Sequence, residues 1–198
     1  MKKLFLFAAL FCFFALTANA QQLDAAFGIS TVTAPSAADA TGDHFPQSIK
    51  GGAYVGFSAD YLFMKHFGVG GEVNWRASQG NYAGVADFRP IFYDFNGVYA
   101  PPLGKRAALD LQAGIGAESI RFYQGIVNFN PSTGTFTNYT SSNHFMGHFA
   151  AGVKLYPYGN FFVRPEAHLY LVHNNFEFSS SRVTRYGVSI GYTFGRQQ

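Results

Sequence analysis

The segment Tyr186-Gly-Val-Ser-Ile-Gly-Tyr-Thr-Phe194 decides the architecture. Tyr186, Val188, Ile190, Tyr192 and Phe194 share one parity; Arg185, Gly187, Ser189, Gly191 and Thr193 share the other. Successive side chains of an extended strand point to opposite faces, so this alternation marks a strand with one apolar and one polar face. A helix, with its period of about 3.6, would scatter the same residues around its circumference.

The pattern recurs upstream. Leu109, Leu111, Ala113 and Ile115 alternate with Asp110, Gln112, Gly114 and Gly116, and Phe67, Val69, Val73 and Trp75 with Gly68, Gly70, Glu72, Asn74 and Arg76. Ala53, Val55, Phe57, Ala59 and Tyr61 stand opposite Lys50, Gly52, Tyr54, Gly56, Ser58 and Asp60. Strands are predicted near 22–33, 48–61, 67–78, 87–99, 107–121, 144–156, 161–173 and 184–194, with no helix among them. Leu23, Ala25, Phe27 and Ile29 carry the first, and Pro90 is expected near the end of the fourth, since proline weakens a central strand. Eight antiparallel strands can close without an unpaired edge, so the predicted fold is an all-β, eight-stranded, antiparallel up-and-down barrel.

The connections Leu62–His66, Ala100–Arg106 and Pro157–Asn160 are short; Ala34–Gln47, Gln79–Ala86, Phe122–Asn143 and Asn174–Val183 are longer and rich in Ser, Thr, Asn, Gly and Pro. Alternate connections of such a barrel emerge at the same end. One end therefore carries short turns and the other long loops.

Ahead of the strands, Met1-Lys2-Lys3, the apolar run Leu4–Leu16 and Ala18-Asn19-Ala20 read as a secretory signal peptide cut after Ala20. The run is shorter than the ~20 residues of a membrane-spanning helix. The chain is thus expected to divide into a signal peptide, 1–20, and an outer-membrane β-barrel domain over 21–198, with no periplasmic module expected behind it. The whole chain carries 14 basic and 11 acidic residues. Without Lys2 and Lys3 the balance is nearly neutral, which excludes a basic nucleic-acid surface. Cys12, the only cysteine, lies in the leader behind Phe11, so neither a disulfide, a thiol nucleophile nor a lipid anchor is expected.

Alternation alone does not say which face is inside. A lipocalin-like soluble barrel turns its apolar parity inward, and a membrane barrel turns it outward. Aromatics near strand ends (Tyr61, Phe67, Trp75, Tyr99, Tyr186, Phe194) suit interfacial girdles. Only 13% of residues are charged, against about 25% in ordinary soluble domains. The opposite parity mixes glycine with charges of both signs. Strands of about 11 residues tilted by about 45° span a bilayer core. The membrane orientation is the one predicted.

With its leader, eight alternating strands and aromatic-ended last strand, the chain resembles the eight-stranded OmpA/OmpX-like outer-membrane β-barrel proteins over the whole of 21–194. The resemblance implies a place in the cell outer membrane, contact with outer-membrane lipid, and recognition of the last strand by the barrel-assembly machinery, for which Tyr192 and Phe194 fit the final aromatic positions. Ser189, where glycine is usual, and the overhang Gly195–Gln198 depart from the pattern. A monomer is expected.

Parity places a candidate polar network in the lumen: Glu72, Arg76, Asp94, Asp110, Glu118, His148, Lys154, Arg164, Glu166, His168 and Arg185. On strands, His144 and His148 stand about 13 Å apart, too far to chelate one metal by themselves. No catalytic, cofactor or metal site is predicted. With so many inward charges the lumen is expected to be filled rather than open. Lipid A deacylases, barrels of this size, place a His-x-Ser pair on the lipid-facing side of a late strand. Here His173 has the outward parity, but Asn175 stands in the serine position and serines arrive at Ser179, Ser180 and Ser181. The requirement of a nucleophile beside the imidazole is not met locally. Phe129, Phe136 and Tyr139, in a long polar loop, suit recognition of an unidentified ligand. The expected role is structural or recognitional at the surface, with a lipid-modifying enzyme or a periplasmic lipocalin-like binder as the alternatives. Asn138-Tyr-Thr140 matches a glycosylation pattern without further support, and Gly114-Ile-Gly116 falls within a strand rather than a phosphate loop.

Overall fold

The computed structural model describes residues 22–34, 49–82, 86–132, 134–174 and 181–195, with backbone alone at 124–128 and 135. The leader with its cut, most of the first long loop, Asn175, Ser179 and Ser180 lie outside the described residues. Eight long strands alternate in direction: β1 (Gln22–Thr33), β2 (Tyr54–Leu62), β3 (Phe67–Arg76), β4 (Ala86–Tyr99), β5 (Ala107–Asn130), β6 (Thr135–Tyr158), β7 (Phe161–Val172) and β8 (Arg182–Phe194). Two three-residue strands, Gly80–Tyr82 and Pro102–Gly104, extend hairpins beside β4 and β5.

Each long strand pairs antiparallel with its sequence neighbours, and β1 pairs with β8 to close the barrel. Following paired residues around the wall leads from Leu23 through Tyr61, Val69, Gly97, Ala113, Phe149, Leu169 and Thr184 back to Thr33. The path leaves β1 at residue 23 and returns at residue 33, a shear of 10 residues. With about 3.3 Å per residue and about 4.8 Å between strands, that shear requires a tilt of about 41° and a radius of about 8 Å. Lumen side chains meet across so small a radius, and glycine gives them room. At Gly56 a Cβ would fall on the Asn74 side chain.

The apolar parity faces outward. Phe57, Phe95 and Ile190 are 55%, 61% and 61% exposed, and Phe27, Phe67, Ile115, Phe149, Phe161 and Phe194 share that wall. The lipocalin-like arrangement, with the apolar parity turned inward, is therefore not the one adopted.

Three boundaries differ from the sequence reading, each for a local reason. β2 begins at Tyr54 rather than near 48, because Gly51 and Gly52 take φ of 69° and 83°, outside the strand region. Pro90 lies inside β4, but between the last β3–β4 pair at Ile91 and the pairing of Gly80 with Phe88, where the β3 side has no ladder to lose. Most consequentially, 122–143 is not an irregular loop. β5 runs to Asn130 and β6 starts at Thr135, joined by a tight tip.

Candidate functional site

Inward side chains form three zones. Near the long-loop end an apolar roof gathers Val32, Tyr54, Phe92, Ile120, Met146 and Tyr170, with Val172 and Val183. Towards the short-turn end Tyr156 and Phe162 pack with Ala26, and Leu62 with Val98 and Ala100. Between them lies the charge network.

Its lower half centres on Lys154, fully buried, whose Nζ reaches Asp24 Oδ2 at 2.6 Å, Asp110 Oδ2 at 2.9 Å and Asp60 Oδ2 at 3.4 Å. Arg164 shares Asp110 Oδ2 at 2.8 Å and spans to Glu166 Oε2 at 2.7 Å, donating also to Ser58 and Ser189. Side chains of six strands, β1, β2, β5, β6, β7 and β8, thus meet at one ammonium and one guanidinium. The β6–β7 ladder pairs Gly152 with Glu166 and resumes at Leu155 with Val163, skipping Pro165, which has no N–H to give.

The upper half centres on Arg185. It donates to Glu72, to Asn74 Oδ1 at 2.7 Å and to His168 Nε2 at 2.7 Å. Because arginine can only donate, His168 Nε2 accepts and its Nδ1 carries the hydrogen. That hydrogen goes to His148 Nε2 at 2.9 Å, and His148 Nδ1 then donates to Asn96 Oδ1 at 2.8 Å. Asn96 in turn donates to Asp94 Oδ1 at 2.5 Å and to Gln112 Oε1 at 3.3 Å, and Gln112 donates to Asp110 at 3.1 Å, which ties the two halves together. Phe92, Tyr170, His148 and His168 stack face to face at 4.8, 4.9 and 5.1 Å, joining the roof to the network.

Of the residues predicted for the lumen, Glu72, Asp94, Asp110, His148, Lys154, Arg164, Glu166, His168 and Arg185 are brought together. Arg76 is not: its guanidinium lies 5.4 Å over the Phe88 ring at the long-loop end, and its Nε is buried without a partner. Glu118 is fully buried opposite His144 on β6. Sequence reasoning missed Asp24, Asn74, Asn96 and Gln112 as members, although each has the inward parity. Glu72, Glu166 and His168 offer ligand atoms within 4.8 Å of one another, a spacing that suits a divalent cation. The Arg185 guanidinium occupies that position instead, bonded to Glu72 and His168 and 3.8 Å from Glu166. As arranged, Lys154, Arg164 and Arg185 are each held between acceptors within the lumen.

His173 is exposed just past β7, its N–H bonded to Phe145 O at 2.8 Å. A serine–histidine contact does exist elsewhere: Ser142 Oγ lies 3.0 Å from His144 Nε2. Both have the inward parity, so they face the lumen and not lipid.

At the short-turn end a cavity of about 1150 Å³ opens between Leu62, Ala100, Arg106 and Tyr156, with Lys154 at its floor. At the opposite end β5 and β6 leave the wall. The ladder of β6 with β7 stops at Met146 and Val172, and that of β5 with β4 at Tyr123 and Asp87, yet β5 and β6 pair again beyond an irregularity between Tyr123 and Asn128, from Asn128 with Thr137 to Asn130 with Thr135. The extra 11 residues of β6 reach about 35 Å along the strand. Near the tip the Phe129 and Phe136 rings touch at 4.8 Å while 55% and 70% exposed.

The model of the outer membrane protein beta-barrel domain family matches residues 5–194. No curated protein matches the sequence significantly. Among solved structures, the attachment invasion locus protein of Yersinia pestis is similar at 14% identity and a TM-score of 0.58, over 88% of this chain and 99% of that one. Neisserial surface protein A is similar at 9% identity and 0.58, over 88% and 97%. The N-terminal barrel domain of Pseudomonas aeruginosa OprF gives 15% identity and 0.53, over 88% and 97%. At such identities the likeness is one of fold; the family match, with the outward apolar wall, carries the assignment. The chain belongs to the outer membrane protein beta-barrel domain family and is an eight-stranded transmembrane barrel of the outer membrane.

Proposed function

We propose that this chain is a surface-recognition protein, in which a filled barrel anchors a rigid hairpin that makes the contact. The observation that carries the reading is the aromatic pair Phe129 and Phe136, held in water at the tip of a paired ribbon. Exposed aromatics of this size cost solvation unless a partner covers them, and the ladder pairs of Asn128 with Thr137, Phe129 with Phe136 and Asn130 with Thr135 hold the two rings side by side. The occupied lumen and the Phe92–Tyr170 roof speak against solute passage as the main role.

The test is adhesion of bacteria displaying the full chain to surfaces coated with heparin, with casein as the control. Heparin is included because the Yersinia pestis neighbour was solved in complex with a heparin analogue. Adhesion to heparin, lost in Phe129→Ser/Phe136→Ser at equal surface level, supports the reading; adhesion unchanged in that variant removes the tip from it. A second reading, ester hydrolysis, rests on Ser142 and His144. It requires labelling of Ser142 by a fluorophosphonate.

A further inference from the structure

Two arginines on the outer wall stand in an arrangement that the barrel by itself does not explain. Arg89 of β4 and Arg121 of β5 are directly opposed in the ladder. Both have the outward parity of Tyr93 and Ile115, so both point from the lipid-facing wall. Side chains directly opposite on neighbouring strands have Cβ atoms about 5 Å apart, and like charges there repel. Nothing among the described residues neutralises them. Neither guanidinium has an ion pair, and Asp87, two residues beyond Arg89 on the same face, takes its hydrogen bond from Asn81 instead, at 3.4 Å. The Nε of Arg89 is buried and has no hydrogen-bond partner. Arg121 is held in place with its guanidinium 5.1 Å over the Tyr139 ring.

The surroundings supply further donors. Ser119 pairs with Asn143, and Arg121 with Ser141, all on the outward parity. Height on the wall selects the occupant. Arg89 follows Ile91 by two residues, which at the barrel's tilt is about 5 Å beyond the last apolar side chain of β4. That is where the headgroups of the leaflet on the long-loop side begin.

We propose that Arg89 and Arg121 form a binding site for the phosphate of a membrane lipid, with Ser119, Ser141 and Asn143 as additional donors. A phosphate between the two forks accepts paired hydrogen bonds from both and converts their repulsion into attraction. The lipid's acyl chains lie along the apolar wall below, which a free anion cannot use. The site lies where β5 and β6 leave the wall, below the hairpin tip, and does not depend on what that tip recognises.

The test uses the full chain in non-ionic detergent, with phosphatidic acid, diacylglycerol and inorganic phosphate as probes. Native mass spectrometry is expected to show a phosphatidic acid adduct that weakens at least about tenfold in Arg89→Gln/Arg121→Gln, with diacylglycerol bound equally poorly by both. Millimolar inorganic phosphate is expected not to displace the lipid. The variants also carry an opposite sign that guards against simple misfolding. Without anionic lipid, Arg121→Gln should unfold at a higher temperature than the natural chain, because repulsion is relieved; with phosphatidic acid only the natural chain should gain. Arg89→Lys/Arg121→Lys, which keeps charge and loses the forks, should bind more weakly than the natural chain. Equal adducts in natural and Gln variants, or displacement by inorganic phosphate, would overturn the proposal.

Discussion

The lumen network and the β5–β6 hairpin are built from the same strands and the same ladder, yet they make opposite use of side chains. Inside the wall, Lys154, Arg164 and Arg185 are buried to within 2% and each meets two or more acceptors. A charge taken out of water must be answered by partners, and removing one partner strands the rest. On the hairpin the described side chains of 136–143 carry no charge, and the two aromatics at the tip touch mainly each other. The contrast teaches that the hairpin tip needs no buried charge: ladder pairing and ring contacts, with Arg121 resting on Tyr139 lower down, hold it, whereas the lumen charges are answered by one another.

The sharpest way to break this comparison is Lys154→Met. Asp24, Asp60 and Asp110 would then face one another without their shared ammonium, at a cost of about 3–5 kcal/mol. Urea unfolding in detergent micelles should show it, and a midpoint equal to that of the natural chain would mean the network is not structural. Arg185→Met should approach the same loss, and Arg185→Met/Glu72→Leu should recover part of it, since both members of a buried pair go together. A smaller effect is expected from His148→Phe, which keeps a ring in the stack but removes the bonds to Asn96 and His168, costing about 1–3 kcal/mol. Phe129→Ser/Phe136→Ser lies at the other extreme, with unfolding shifted by about 0.5 kcal/mol or less and adhesion abolished. A large loss of stability there would show that the tip folds back onto the molecule. Ser142→Ala should change unfolding least, and a fluorophosphonate label that it removes would move the site from the hairpin to the lumen wall.

How far these two regions could be read beforehand follows from what the membrane imposes. Where lipid lies on one side, alternation is strict, and Tyr186–Phe194 and Leu109–Ile115 gave strand, parity and closure together. Beyond the bilayer that pressure stops. Thr137, Asn138, Thr140, Ser141 and Ser142 have no apolar parity, so the hairpin looks like a loop, although Thr, Phe and Tyr at 135–140 are strand-favouring residues. Parity identified inward residues but not their height, which depends on the shear. Arg76 consequently has the right parity and lies outside the network, while Asp24 joins Lys154 from 130 positions away. The apolar roof was hidden because Leu169-Tyr170-Leu171-Val172 is apolar on both faces, and periodicity cannot sort such a run.

Single cysteines in the chain, whose only natural one is Cys12, allow the most direct test of the whole account. Phe136→Cys, Phe95→Cys and Leu103→Cys place a thiol at the hairpin tip, on the apolar wall and in a short turn. A membrane-impermeant maleimide applied to intact cells should label the first, leave the second unlabelled even after lysis in the absence of detergent, and reach the third only once the cells are broken. Labelling of Leu103→Cys on intact cells with Phe136→Cys protected would contradict the orientation, and labelling of Phe95→Cys in intact membranes would contradict the barrel's placement in lipid.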